Sequence, residues 1–154
     1  MEDAVHHLLG SIYETFAHKN YAICVFFDLS RAFDVMSHEI LLDKLSLYGV
    51  SGTELRWFSC YLRGRAQYVS MSGVQSNRLP VARGVAQGSI IGPLLFSLFV
   101  NDLVKSVSSS KIVQYADDTS LTIVGGNLDD LLINVNLEIS RVTNWFRSND
   151  LVLN

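Results

Sequence analysis

Two adjacent carboxylates set between apolar runs constrain this chain more than any other feature. Asp117-Asp118 lies between Lys111-Ile-Val-Gln-Tyr-Ala116 and Thr119-Ser-Leu-Thr-Ile-Val124, two β-prone stretches that read as a hairpin with an Asp-Asp tip. Asp favours turns because its side chain bonds nearby backbone. Asn-Gly or Asp-Gly would make a better tip, since Gly takes φ > 0 freely, and two like charges side by side repel. The tip is therefore selected for charge rather than for turn chemistry. Clustered carboxylates are commonly partnered by a hard divalent cation such as Mg²⁺. A third acid sits on a similar platform. Tyr21-Ala-Ile-Cys-Val-Phe-Phe27 is an uninterrupted β-branched and aromatic run, predicted as a strand buried on both faces, and it ends at Asp28. Burying an ionised Asp there is costly unless it is paired, solvated or metal-bound. If the two platforms are neighbouring strands, their three carboxylates can hold two Mg²⁺ ions about 3.5–4 Å apart, an arrangement used for phosphoryl transfer.

The chain of 154 residues is long enough for one domain with a sizeable core, and its 49% apolar and 18% charged residues exclude a disordered chain. Cys24 and Cys60 form no disulfide framework and read as reduced, buried small hydrophobes, as in an intracellular protein. Glu2, Asp3, His6 and His7 give no secretory signal. The longest apolar run, Ile90 to Val100, is broken by Gly92-Pro93 and too short to span a bilayer. Charge is unevenly placed. Arg56, Arg63, Arg65, Arg78 and Arg83 give residues 56–83 a charge of +5 with no acid among them, which leaves −8 on the remainder of a chain whose net charge is −3. A basic segment beside clustered acids suits a protein that grips phosphate and also holds metal.

Helical periodicity places Ala4, Val5, Leu8, Leu9, Ile12, Tyr13 and Phe16 on one stripe of residues 4–16. Ser37 caps a helix through about Leu47, with Glu39 in its first turn and Gly49 as its stop. Ser51 or Thr53 begins another, with Leu55, Phe58 and Leu62 on one face, ending at Gly64. Residues 65–72 and 76–82 read as a basic hairpin turned at Ser72-Gly73. Pro93 opens a helix predicted to reach about Val107, followed by a short polar loop from Ser106 to Ser110. Asn127 caps a long helix with Asp129 and Asp130 at its positive end, Arg147 near its negative end, and an apolar stripe of Leu128, Leu131, Leu132, Val135, Ile139, Val142 and Phe146. The sum is an α+β fold, an antiparallel sheet carrying acids with helices packed on one face.

Three segments, Asp28-Leu-Ser-Arg-Ala-Phe-Asp34, Gly84-Val-Ala-Gln-Gly-Ser-Ile-Ile-Gly-Pro-Leu-Leu-Phe96 and Tyr115-Ala-Asp-Asp118, resemble in order and spacing the central motifs of reverse transcriptases of the non-long-terminal-repeat retrotransposon type. The text between them matches too, at Ser37-His-Glu-Ile-Leu-Leu, Tyr61-Leu-Arg-Gly-Arg and Asn101-Asp-Leu, so the resemblance covers residues 2–154. It implies a polymerase palm-like sheet and an RNA-directed DNA polymerase. It also implies two Mg²⁺ ions, with Mn²⁺ able to substitute, and as partners an RNA or DNA template-primer and deoxynucleoside triphosphates, with no membrane. Residues 1–154 would then be a palm core, a partial domain without the N-terminal part of the fingers and without the thumb, completed by flanking domains. The expected location is intracellular, in nucleus or cytoplasm.

By that resemblance Asp28 and Asp117 are the shared metal ligands, Asp118 supports them, and the Leu29 carbonyl is a further ligand. Phe33 matches the family's steric gate, a ring that clashes with a ribose 2′-hydroxyl and so rejects ribonucleotides. Gln87 and Gly88 face the nucleotide or template, Gly88 letting backbone come close; Ala86 stands where the family usually has Pro, which leaves the loop looser. Asp34 has no metal role, and its expected use is a cap or a local backbone bond. Arg63, Arg65 and Arg78 are expected to track nucleic-acid phosphates without reading sequence, with Tyr68 as a cross-strand aromatic. His6, His7, His18 and His38 show no metal spacing and read as surface or capping residues. The alternative function is a catalytically inactive nucleic-acid-binding remnant or scaffold that keeps the acids. A metal-dependent nuclease fits poorly, because Phe33 and Gln87-Gly88 would have no task.

Overall fold

The β-prone apolar runs become strands here and the 3.6-period stripes become helices. The computed structural model describes residues 2–154, in the order α1 (Glu2–Ala17), β1 (Tyr21–Phe27), α2 (Ala32–Val35), α3 (His38–Leu47), α4 (Gly52–Leu62), β2 (Ala66–Gln67), β3 (Ser70–Met71), β4 (Val74–Gln75), β5 (Leu79–Pro80), α5 (Gly92–Val100), a 3₁₀ turn (Leu103–Ser106), β6 (Ser110–Tyr115), β7 (Asp118–Gly125) and α6 (Leu128–Ser148). The α+β class expected from the pattern stands. The chain divides into two compact units, Met1–Ser30 with Val100–Asn154, and Arg31–Phe99.

The first unit is a three-stranded antiparallel sheet with β7 between β1 and β6. Partners in register share a face. Phe26, Ser120 and Val113 are such partners, and with Ala4, Val5 and Leu8 of α1 they line an apolar pocket of about 360 Å³. The alternate residues Phe27, Leu121 and Ile123 are buried on the other face, where the Phe146 ring of α6 meets Phe27 edge-on at 5.8 Å. The two helices of this unit therefore lie on opposite faces of the sheet, not on one.

Two apolar stripes prove wider than the faces they bury. In α1, Thr15 is buried while Val5, Leu9, Tyr13 and Phe16 remain exposed. In α6 the buried line is Leu131, Val135, Glu138, Val142 and Phe146, and Leu128 and Leu132 face outward. Strand β1 also departs from the expected double burial. It is an outer strand of the sheet, paired on one side only, and its Phe26 is 68% exposed.

Glu138 is the residue the periodic pattern hides. It is 1% exposed and sits on the apolar line of α6. Its carboxylate accepts from the Ser108 amide and from the hydroxyls of Ser108, Ser109 and Ser110, at 2.8–3.4 Å, and pairs with Arg141 at 2.5 Å. Burial pushes this carboxyl up, but the hydrogen bonds from Ser110, Ser108 and Arg141 outweigh it and hold the group below the usual carboxylate range. The serine run is thus the lid of a buried acid rather than a plain polar loop.

The second unit carries α2 to α5 and the basic hairpin. The Ser37 hydroxyl accepts from the Ile40 amide at 3.4 Å to start α3, and Gly49 at φ 92° follows its end. Met36, Leu41, Leu45, Leu62, Leu95 and Phe96 are almost wholly buried, each such side chain contributing about 1.5–3 kcal/mol of transfer free energy. The hairpin forms as two short ladders, β2 with β5 and β3 with β4. Its turn, Ser72 at φ 50° and Gly73 at φ 83°, has the two positive angles of a type I′ connection. Helix α5 stops at Val100 rather than near Val107, because the turn at Asn101-Asp102 breaks it and a separate 3₁₀ turn follows.

Candidate active site

The acid-bearing hairpin joins β6 to β7 through two residues, Ala116 and Asp117, with Tyr115 paired to Asp118. The tip is therefore Ala116-Asp117, one residue earlier than the sequence suggests. Its positive angle falls on Ala116, at φ 54°. A non-glycine residue there costs energy, of the kind tolerated where surrounding structure fixes the backbone. On the neighbouring strand the last registered pair is Phe27 with Thr119. The next residue of the outer strand is Asp28, and the residue before Thr119 on its neighbour is Asp118. Adjacent strands run about 4.7–4.9 Å apart, so register brings these acids to one end of the sheet, with Asp117 in the adjoining turn. Among the described residues no three acidic, histidine or cysteine side chains form a metal-holding group.

Asp28 has a partner that sequence reading misses. Asn154 donates from Nδ2 to Asp28 Oδ2 at 2.8 Å and from its backbone amide to the Asp28 carbonyl at 2.9 Å. Leu29 is buried and bridges Leu153. The hydrogen bonds of that bridge use the Asp28 carbonyl and the Ser30 amide, not the Leu29 carbonyl proposed as a ligand.

The second unit holds the remaining candidates. Phe33 is half-buried against Phe96, ring centroids 4.6 Å apart and planes tilted by 33°. Gln87 donates from Nε2 to both Asp34 carboxylate oxygens, at 3.0 and 3.2 Å. Asp34 thus bonds a side chain far along the chain, which replaces the local use expected of it. Gly84 packs against α2 so closely that a Cβ there would lie 2.5 Å from the Asp34 carbonyl oxygen. His38, expected as a surface or capping residue, is buried, and its Nε2 bonds the Gly84 carbonyl at 2.6 Å. Gly88 has φ 78° with open space around it.

Arg31, Arg65, Arg83, Asp34 and Gln87 help line a polar cleft of about 640 Å³. Arg63 is exposed at the end of α4. Arg78 lies over the Tyr68 ring across the hairpin, 5.5 Å from its centroid. The hairpin strands themselves are exposed throughout.

An antiparallel sheet with acids at a strand end and at the neighbouring hairpin has the form of a polymerase palm. The solved structures with a similar fold include apo telomerase from Candida tropicalis truncated from its C-terminal domain, at a TM-score of 0.71 and 14% identity over 99% of this chain and 33% of that one. Telomerase from Candida albicans in complex with a fragment of telomeric RNA is similar at 0.62, with 14% identity over 86% of this chain and 26% of that one.

Residues 3–154 match the family described as reverse transcriptase (RNA-dependent DNA polymerase), and the chain belongs to that family. Its relatives include the RNA-directed DNA polymerase from mobile element jockey of Drosophila melanogaster, 33% identical over 132 residues, and the probable RNA-directed DNA polymerase from transposon BS of the same fly, 32% identical over 132 residues. Each alignment covers 77% of this chain and 14% of the relative, so the chain spans about a seventh of their length. These are polymerases of non-long-terminal-repeat retrotransposons, the type the motifs resemble. Membership in the family implies use of a divalent metal.

Proposed function

We propose that this chain is the palm segment of a retroelement RNA-directed DNA polymerase that extends a primer 3′-hydroxyl with deoxynucleoside triphosphates on an RNA or DNA template. The observation that carries the reading is the register. It leads β1 into Asp28 and starts β7 at Asp118 on the same end of neighbouring strands, with Asp117 in the turn between β6 and β7. An all-oxygen donor set of this kind suits Mg²⁺, and Mn²⁺ as a substitute. Asp28, Asp117 and Asp118 would hold two such ions, with the Leu29 carbonyl as a further ligand. When bound, the metal supplies activation of the attacking hydroxyl and stabilisation of the leaving pyrophosphate.

The chain's own residues account for substrate choice. Backed by Phe96, the Phe33 ring has little room to retreat, so a ribose 2′-hydroxyl meets repulsion and a deoxyribose does not. Arg63, Arg65 and Arg78 supply sequence-independent attraction for template and primer phosphates, an attraction that salt weakens. Gln87 and Gly88 line the approach of the nucleotide.

The test is primer extension by a polymerase containing this segment, with Asp117→Asn compared to the parent. The variant is expected to fall to background. Extension at the parental rate would remove the site assignment. A parent that binds template-primer yet never extends it would instead mark a non-catalytic nucleic-acid-binding scaffold.

A further inference from the structure

The geometry points to Asp34 as a positioning residue that sets the nucleotide specificity of the polymerase through Gln87, an inference that rests on the proposed activity. A carboxylate offers only acceptors, so the Gln87 amide must turn its nitrogen toward Asp34. Both carboxylate oxygens receive that nitrogen, at 3.0 and 3.2 Å. The amide oxygen is left as the acceptor that Gln87 presents elsewhere, so a nucleotide donor group is welcomed there and an acceptor is not.

The two side chains meet because their backbones are clamped. The Gly84 amide bonds the Met36 carbonyl at 2.8 Å, and the Val85 amide bonds the Phe33 carbonyl at 2.9 Å. His38 Nε2 bonds the Gly84 carbonyl as well. Gly84, at φ 76°, has no room for a Cβ against Phe33 and Asp34. Phe33 and Asp34 are thereby fixed relative to the loop that carries Gln87. Asp34 and Gln87 stand together in the wall of the polar cleft that Arg31, Arg65 and Arg83 make cationic. A triphosphate is the ligand chemistry such a cleft attracts.

The first measurement needs no catalysis. Side-chain amide protons of Gln87, followed by NMR in the glutamine-labelled chain, are expected to exchange with solvent faster in Asp34→Ala than in the parent. Equal exchange in both proteins overturns the inference. The second measurement is steady-state kinetics of the polymerase containing this segment. Asp34→Ala is expected to raise the deoxynucleotide KM roughly tenfold with kcat changed less than about twofold, the mark of lost ground-state positioning. In a Gln87→Ala background the same substitution is expected to add nothing, since the pair then no longer interacts. Asp34→Asn, which keeps one acceptor oxygen, is expected to recover part of the loss. Additive effects of the two alanine substitutions would refute action through Gln87. A parent protein that never extends a primer would defeat the specificity role by way of the proposed function, while the exchange result would still report on the bond itself.

Discussion

Asn154 grips Asp28 at two points, side chain to side chain at 2.8 Å and backbone amide to carbonyl at 2.9 Å. The first acid of the candidate site therefore has its carboxylate and its main chain oriented by one residue that is not itself an acid. Residues behind metal ligands commonly change affinity or activity by about 10–100-fold when replaced. In a polymerase containing this segment, Asn154→Ala is expected to raise the Mg²⁺ concentration needed for half-maximal extension by at least about tenfold. Its fold, followed by circular dichroism, should change little. An unaltered Mg²⁺ requirement would mean the contact orients nothing of use.

Glu138 makes stability depend on pH in a definite direction. A carboxyl whose folded pKa is depressed stabilises the protein above its unfolded pKa, and that contribution fades as pH falls through the folded value. The hydrogen bonds from Ser108, Ser110 and Arg141 are the cause of the depression, acting against burial. Glu138→Gln is expected to cost about 2 kcal/mol at neutral pH, the scale of bonds to a charged group. Its denaturant midpoint should converge on that of the parent as the solution is acidified. A gap that stays constant with pH would show that the charge is not what the serines hold.

Gly84 tolerates no side chain. A Cβ would meet the Asp34 carbonyl oxygen at 2.5 Å and the Phe33 carbonyl oxygen at 2.7 Å, and φ is already +76°. Both atoms are backbone, so no rotamer change relieves the clash. Gly84→Ala is expected to destabilise by more than about 2 kcal/mol, measured by urea unfolding. Gly88→Ala has a similar φ but open space, and should cost about 1–2 kcal/mol. Equal costs at the two positions would contradict the close approach at Gly84.

Ala116 bears the strain of the acidic hairpin. Replacing it with Gly removes the left-handed penalty of about 1–2 kcal/mol, less the backbone entropy that Gly adds. Ala116→Gly is therefore expected to raise the melting temperature slightly. A drop of several degrees would show that the φ of 54° is not a strained angle here.

Much of this architecture was legible in the chain because it is local. Asn127 caps α6 by accepting from the Asp130 amide, and Ser72-Gly73 turns the basic hairpin. Both signals lie within four residues of what they control. The acids could be assigned to strand ends because apolar runs stop at them. What escaped was long-range polar pairing. Asp34 with Gln87, Asp28 with Asn154, and Glu138 with its serines join positions 28 to 126 apart, and no periodicity encodes such partners. A hint existed for Glu138, which falls at helical spacing between Val135 and Val142. Periodicity likewise told how wide the stripe of α1 is, but not which part of it meets the sheet. It also offered no warning that β1 would lie at the sheet's margin, since a run of Ile, Val and Phe looks alike in either place.

The tether between Asp28 and residue 154 also orders events in time. During synthesis β1 leaves the ribosome long before its distant anchor exists, and closing so long a loop delays the contact further. The Asp28–Asn154 contact is therefore expected to form late in folding, once α6 has delivered the returning chain. Substitutions that slow the docking of α6 would then delay the seating of Asp28 without touching a single acid.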